Sequence, residues 1–202
     1  MSGNEHFKNI FNYNHANLKV DWRYLWLPVF AIMIFNILIA DWSFWRELNG
    51  SRILFQIFGV LITASIAGVL EEFIFRGALQ LGISKLTRNL VLPVVLPALI
   101  FGLVHFFNLG DGVLFQSIYA FILGMFFGIH RYANGRLMSL MLAHALINFT
   151  GIVSYDLDNF EVAAPEIYQM VLAALVLVPA IISFIGLSLK IKNRQLKRLN
   201  SI

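Results

Sequence analysis

The sequence predicts an all-α membrane protein, a polytopic helix bundle with about six transmembrane helices. Of its 202 residues, 59% are hydrophobic and 13% are charged, against about 45–50% and about 25% in soluble domains. A globule of this size cannot bury so much apolar surface, so much of that surface must face lipid. Six mostly apolar segments have roughly the 20-residue length of a span: about 24–40, 53–70, 90–107, 113–130, 137–153 and 167–189.

Polar segments and prolines mark the ends of the spans. The second span does not stop at Leu70, because an amphipathic stretch follows an acidic pair and runs to Leu86. This helix is expected to continue, to bend or to lie along the interface. Pro93 and Pro97 are expected near the start of the third helix, which they can kink. The polar segments between the spans are 41–52, 84–89, 108–112, 131–136 and 154–166.

The distribution of basic residues predicts the orientation in the membrane. Twelve of the fifteen Lys and Arg residues fall on one inferred side, whereas the opposite loops hold only Arg46 and Arg52. Cytoplasmic loops are enriched in Lys and Arg, so the N-terminal segment 1–23 and the basic tail 190–202 are expected in the cytoplasm. We expect the tail to contact anionic lipid rather than nucleic acid. The chain, residues 1–202, is expected to form a single membrane domain.

The composition also excludes several kinds of chemistry. The chain has no cysteine, which excludes a disulfide framework, a thiolate nucleophile and a cysteine-bound zinc site. The sequence also lacks the His-Glu-x-x-His helix of zinc metalloproteases. Ionisable side chains inside the spans are the remaining candidates, because each costs roughly 2.5–3.5 kcal/mol to insert into the bilayer.

An acidic pair near the end of the second span is the first candidate. Glu72 and Arg76 are spaced i,i+4 and are expected to pair on one helix face. Adjacent helical residues point about 100° apart, so Glu71 is expected to face different surroundings and to lack a partner. An unpaired carboxylate in a poorly hydrated place is a candidate general base.

Two further spans carry histidine. His105 has no polar neighbour in its span, and alone it suits a bond to a backbone carbonyl as well as it suits catalysis. His144 and Asn148 are spaced i,i+4 on an otherwise apolar helix, a pattern that favours an internal polar site. A Glu and a His can activate water, while a second His and an Asn can donate to an oxyanion. The combination predicts a hydrolytic site.

The depth of the two histidines presents a difficulty. Simple spans place His105 toward the outer end of its helix and His144 toward the inner end of its own. The two side chains can meet if the third span starts late, after Pro93 or Pro97, or if it is strongly tilted.

The candidate residues fall into three short motifs on separate hydrophobic segments: Glu71-Glu72-x-x-x-Arg76, Phe101-x-x-x-His105 and His144-x-x-x-Asn148. This ordered set resembles the CPBP family, the CAAX-protease and bacteriocin-processing (Abi) intramembrane endopeptidases, which include the Rce1-type prenyl-protein proteases. The resemblance covers about residues 53–153, which would form a four-helix catalytic core. The first and last spans match nothing specific.

The resemblance implies a role for each motif residue. It implies that Glu71 is the general base and that His105 helps it to hold the attacking water. It implies that His144 and Asn148 stabilise the oxyanion. The two remaining motif residues are implied to support the site: Glu72 and Arg76.

The metal dependence of the predicted site is left open. Glu71, His105 and His144 have the side chains of a three-ligand zinc site, but the same residues suit a metal-free glutamate mechanism. We expect that no cofactor is required and keep zinc as the alternative.

The resemblance therefore implies an intramembrane protease that hydrolyses a peptide or a membrane-associated protein near the bilayer surface. A multi-pass protein of a bacterial cell membrane, acting in bacteriocin self-immunity or peptide maturation, is expected. The chief alternative is a non-catalytic membrane immunity or binding protein, and a small proton-relaying transporter is a third. No nucleic-acid partner is expected, while the substrate, its prenylation and the oligomeric state do not follow from the sequence.

Overall fold

A computed structural model describes residues 23–40, 42–87, 89, 91–108 and 113–154, with scattered positions between 171 and 189. Every secondary-structure element in these residues is helical, which confirms the predicted all-α fold. The α-helices are α1 (Arg23–Ile39), α2 (Ser43–Glu47), α3 (Gly50–Glu72), α4 (Gln80–Leu86), α5 (Leu92–His105), α6 (Val113–Asn134) and α7 (Leu137–Ser154).

Several of these helices have the composition of membrane spans. Three described helical stretches are long and apolar enough to cross a bilayer: Gly50–Leu86, Val113–Ala133 and Leu137–Ser154. Two shorter apolar helices are Arg23–Leu38 and Leu92–His105. In the predicted sixth span the described positions are helical. The rest of that span, the N-terminal segment up to residue 22 and the tail 190–202 lie outside the described residues.

The surface of α3 is suited to lipid rather than to water. Large apolar side chains such as Leu54, Phe55 and Phe58 are more than 60% exposed. Apolar surface on this scale is unusual in a water-soluble monomer and marks contact with a membrane or partner. Together with the long apolar helices, it supports the conclusion that this is a membrane protein.

The second predicted span continues beyond the acidic pair. A π-helical segment, Phe73–Leu79, joins α3 to α4, so the helix neither ends at Leu70 nor leaves as a separate element. At the end of this segment the backbone N–H of Gln80 donates to the Phe75 carbonyl, which is five residues earlier instead of the four of an α-helix. Single π-helical turns occur often at functional sites, and this one begins immediately after Glu72.

Three helices share the largest apolar core. Helix α1 packs on α7, α3 packs on α7, and α5 packs on α6. Buried side chains of α1, α6 and α7 form one continuous cluster: Leu25, Val29, Ile32, Leu123, Phe126, Phe127, Leu140, Ala143 and Ile147. This packing holds α7, the helix of His144, from two sides.

Helix α1 is also joined to α7 by polar contacts. The Asn36 side-chain amide donates to the Thr150 hydroxyl over 3.1 Å, and the Ser154 hydroxyl donates to the Asn36 carbonyl over 2.7 Å. Both contacts are buried. Hydrogen bonds between helices of this kind contribute about 0.6 kcal/mol on average in membrane proteins, so they fix the position of α1 more than they stabilise it.

Helices α3 and α7 approach closely at a glycine. A Cβ atom built on Gly68 would lie 2.6 Å from the Ala145 backbone nitrogen, so the backbones could not keep this separation with a larger residue. Gly68 lies one turn before the acidic pair, and Ala145 follows His144 directly. The glycine therefore allows the two halves of the predicted site to meet.

Replacing Gly68 by alanine is expected to destabilise the protein by about 1–3 kcal/mol, because overpacking forces rigid backbones apart. Gly59 on the same helix is the matched control, since a Cβ there would have nothing within 4 Å. Gly59→Ala is expected to leave the free energy of unfolding unchanged or to raise it by up to about 1 kcal/mol, because alanine is the better helix former. Unfolding in detergent measures both, and equal effects of the two substitutions would contradict the close approach.

Two predicted boundaries differ from the structure. The predicted polar segment 131–136 starts too early, because α6 continues to Asn134 and Arg131 is only 3% exposed. Arg131 is thus a buried helical cation, not a loop charge, and it does not count toward the predicted orientation. The third helix begins at Leu92, before Pro93, so the late start, one of the two arrangements considered for bringing His105 to His144, is not found.

Candidate active site

Both glutamates of the acidic pair reach one imidazole on α7. His144 Nδ1 lies 2.9 Å from Glu72 Oε1, and His144 Nε2 lies 3.4 Å from Glu71 Oε2. An ionised carboxylate can only accept a hydrogen bond, so Nδ1 donates to Glu72. The expectation that Glu71 faces separate surroundings is wrong. The two nitrogens of the His144 ring point in different directions, so one ring can contact both Glu71 and Glu72 although these residues point about 100° apart.

Glu72 and Arg76 form the expected i,i+4 ion pair, and it is fully enclosed. Arg76 Nη1 donates to Glu72 Oε1 over 2.7 Å, with the two side chains 1% and 0% exposed. The guanidinium carbon lies 4.8 Å from the centroid of the Phe101 ring and 5.7 Å from that of Phe127. Cation–π contacts of this geometry are attractive, more so when desolvated, so the aromatic rings help to compensate the buried charge.

Glu71 differs from Glu72 in its access and in its hydrogen bonding. Its side chain is 30% exposed, whereas that of Glu72 is completely buried. Glu71 Oε2 has no hydrogen-bond partner among the described residues, and this oxygen atom is itself buried beside the His144 ring. Glu71 thus has a buried oxygen without a partner on a side chain whose remaining atoms are partly exposed, an arrangement that suits a carboxylate that binds water.

His105 lies close to this cluster without joining it directly. It is the last residue of α5, and its Nδ1 lies 2.8 Å from the Phe101 carbonyl oxygen. A carbonyl only accepts, so Nδ1 donates and Nε2 is left as the available acceptor. In the described residues no hydrogen bond or ion pair joins His105 to either glutamate or to His144.

Phe101 connects the two histidines. Its ring centroid lies 4.5 Å from that of His105 and 5.8 Å from that of His144, both in edge-on arrangements. The ring therefore lies between the two imidazoles, although α5 does not start after its prolines. The two histidines are thus linked through contacts with the Phe101 ring.

Asn148 follows His144 by one turn of α7 and is half-buried. The two residues are spaced i,i+4, so they share a helix face as the sequence predicts. The Asn148 amide makes no hydrogen bond with any residue in the part of the chain that the structure describes. Its donor group is therefore available to a ligand bound beside His144.

The predicted zinc ligands are not assembled in this arrangement. A catalytic zinc ion takes three protein ligands. Within the described ranges, no group of three His, Asp or Glu side chains is placed to hold a metal ion. His144 Nδ1 and Glu72 Oε1 are bonded to each other, and His105 stands apart. In this arrangement Glu71, His105 and His144 do not form a three-residue metal-binding group.

The segment that carries these residues matches a known family. Residues 53–150 match the family model described as type II CAAX prenyl endopeptidase Rce1-like. Residues 53–150 belong to the Rce1-like family. This confirms the resemblance seen in the three motifs, all of which lie within the matched segment. The Rce1-like family is a family of proteases, so the match supports a protease at the level of the family.

One curated relative of the Rce1-like segment is itself uncharacterised. The chain is 26% identical over 142 residues to the uncharacterized protein YyaK of Bacillus subtilis (strain 168), covering 65% of this chain and 48% of that protein. The chain therefore spans about half the length of this relative. No solved structure matches the chain significantly.

Sequence reasoning missed one polar residue beside the Rce1-like motifs. Gln80 is buried, and its side-chain amide donates to the Gly128 carbonyl over 2.8 Å, tying α4 to α6. The signal was present in the sequence, because Glu72, Arg76 and Gln80 follow one another at i,i+4 spacing. Polar residues repeated on one face of a membrane helix point toward the protein interior.

Proposed function

We propose that this protein is an intramembrane endopeptidase that hydrolyses a peptide or a membrane-associated protein near the bilayer surface. One observation carries the proposal: the His144 ring contacts both Glu72 and Glu71, and of these two carboxylates only Glu71 is on a partly exposed side chain. The location of this cluster in an Rce1-like segment supports hydrolysis of a peptide bond over other reactions of a Glu–His pair.

In the proposed mechanism Glu71 acts as the general base. Its carboxylate takes a proton from a water molecule, whose oxygen forms a bond to the scissile carbonyl carbon. The tetrahedral intermediate then breaks its C–N bond, and the proton held by Glu71 passes to the leaving amine. Atoms and charges balance without a further reactant.

His144 and Asn148 are proposed to stabilise the oxyanion. The bond from His144 Nδ1 to Glu72 fixes one ring proton, so donation to the oxyanion requires a second proton, on Nε2. The Asn148 amide, one turn further on α7, supplies another donor. Glu72 and Arg76 hold the imidazole in place, which is the common role of a carboxylate that orients a histidine.

His105 is proposed to bind the attacking water opposite Glu71. Its Nδ1 is fixed on the Phe101 carbonyl, which leaves Nε2 to accept from water. His105→Ala is therefore expected to lower kcat by about 10²-fold, the lower end of general acid–base contributions. The half-buried ring lies at a helix end, so the unfolding midpoint is expected to change little. Turnover of the folded variant measures the effect, and undiminished turnover would remove His105 from the mechanism.

A non-catalytic immunity or binding protein is the second candidate. The fully buried network of Glu72, Arg76 and His144 favours it, because such a network can hold two helices together without any reaction. If the protein acts by binding, cells that produce the folded His105→Ala variant should keep the immunity that the wild-type protein gives, whereas a protease should lose this effect. The proposed setting of this activity is bacteriocin self-immunity or peptide maturation in a bacterial cell membrane, with both termini cytoplasmic.

The proposed activity can be tested with the purified protein in proteoliposomes. A panel of membrane-bound peptides, with and without a prenylated C-terminal cysteine, is incubated with the protein, and new termini are identified by mass spectrometry. We expect new termini that depend on the protein. A parallel incubation with a chelator, followed by zinc addition, tests metal dependence, and we propose that activity survives it.

A further inference from the structure

Arg131 is a buried arginine that none of the three motifs contains. It lies in the last turns of α6 and is 3% exposed. An ionisable group buried in a membrane helix is costly and therefore a candidate for function. Its guanidinium contacts include two backbone carbonyls among the described residues: Nε donates to the Arg76 carbonyl over 3.4 Å, and Nη1 donates to the Gly135 carbonyl.

The first contact lies inside the π-helical segment. In an α-helix the backbone N–H of Gln80 would donate to the Arg76 carbonyl, four residues earlier. Here that backbone N–H donates to the Phe75 carbonyl instead. The Arg76 carbonyl has thus lost the donor that it would have in an α-helix, and the Arg131 side chain donates to it instead. Because buried carbonyls need a donor, this contact favours the π register over the α register.

The second contact lies at the start of the helix that carries His144. Gly135 has a φ of 67°, a left-handed conformation that glycine adopts readily, and it forms the turn between α6 and α7. Arg131 thus binds the segment that follows Glu72 and the turn that leads to His144. It joins the two halves of the site through the backbone.

We propose that Arg131 is a positioning residue that holds the π-helical register and thereby aims Glu71 and Glu72 at His144. Loss of one residue of register rotates the helix before the segment by about 100° relative to the helix after it. Such a rotation would separate the glutamates from the imidazole. The effect on turnover rests on the proposed function, whereas the effect on His144 does not.

The test compares Arg131→Met with Arg136→Met, in which an exposed arginine of the same connection is changed. The first readout is turnover of the folded protein. The second is the nitrogen-15 NMR spectrum of the His144 ring in nanodiscs, assigned with His144→Gln, which reports the tautomer that Glu72 fixes. Arg131→Lys keeps the charge but lacks the forked donor of arginine. This variant replaces Arg131→Met in both readouts if Arg131→Met does not fold.

Arg131→Met is expected to lower kcat by about 10–100-fold, as for other residues that orient an active-site histidine, with KM changed less than about threefold. The His144 ring is expected to lose its single Nδ1–H tautomer, while Arg136→Met alters neither readout. Arg131→Lys is expected to show smaller changes of the same kind. A wild-type His144 spectrum in folded Arg131→Met, or in Arg131→Lys if only that variant folds, overturns the proposal. If the wild-type protein shows no turnover, the proposed function fails, and the spectrum alone decides the role of Arg131.

Discussion

Replacing Glu71 by glutamine is expected to lower kcat by about 10³-fold, within the range that a general base contributes. Glutamine has nearly the same shape as glutamate but cannot accept a proton from water. The Glu71 side chain is 30% exposed and makes no hydrogen bond with the described residues, so its neutralisation should leave the fold intact. The largest loss of activity should thus accompany a small change in the unfolding midpoint.

Glu47→Gln is the matched control for this substitution. Glu47 ends the short helix α2 and is exposed, and it has no part in the proposed site. The control removes the same charge and is expected to leave turnover unchanged. Turnover measured on equal amounts of folded protein makes the comparison. A Glu71→Gln variant that retained more than about a tenth of the activity would contradict a general-base role.

Replacing Glu72 by glutamine is expected to have the largest effect on stability, about 3–5 kcal/mol, because it leaves the Arg76 charge buried without its partner. The side chains are 1% and 0% exposed, so water cannot take the place of the lost carboxylate. The bond that fixes His144 is weakened at the same time. Neighbouring glutamates should therefore differ: Glu71→Gln affects turnover, and Glu72→Gln affects folding.

A double substitution separates the pair from its surroundings. Glu72→Gln combined with Arg76→Met removes both buried charges, and methionine can fill the space among the aromatic rings. Neutral residues often replace a buried ion pair at little cost, so the double variant is expected to regain more than half of the stability lost by Glu72→Gln. Unfolding in detergent measures all four proteins. Additive losses would show that the pair is not coupled.

Much of the fold and part of the site follow from local patterns. The apolar segments predict the all-α bundle, and the i,i+4 spacing predicts the pairing of Glu72 with Arg76. These inferences succeed because helical periodicity is a property of the chain itself. The three motifs add the family, since their order along separate segments survives errors of several residues in the helix boundaries.

The remaining features depend on contacts between helices, which spacing cannot supply. Glu71 was expected to face separate surroundings, because the rule for adjacent residues ignores an imidazole that reaches both carboxylates. Arg131 resembled a loop cation because nothing local shows that α6 continues past it into the core. The π-helical register after Glu72 is favoured by a hydrogen bond from Arg131, 55 residues away. Sequence spacing assumes a regular helix and therefore cannot predict this change.

The most direct test of the central claim, that water activated at Glu71 hydrolyses a peptide bond, is a single turnover in water enriched in oxygen-18. The reconstituted protein is mixed with a smaller amount of membrane peptide that it cleaves, and both are analysed by mass spectrometry. The account predicts one oxygen-18 atom in the new carboxyl terminus of the product and none in the Glu71 side chain. Oxygen-18 in Glu71, or a failure of the folded protein to cleave any peptide of the panel, would contradict it.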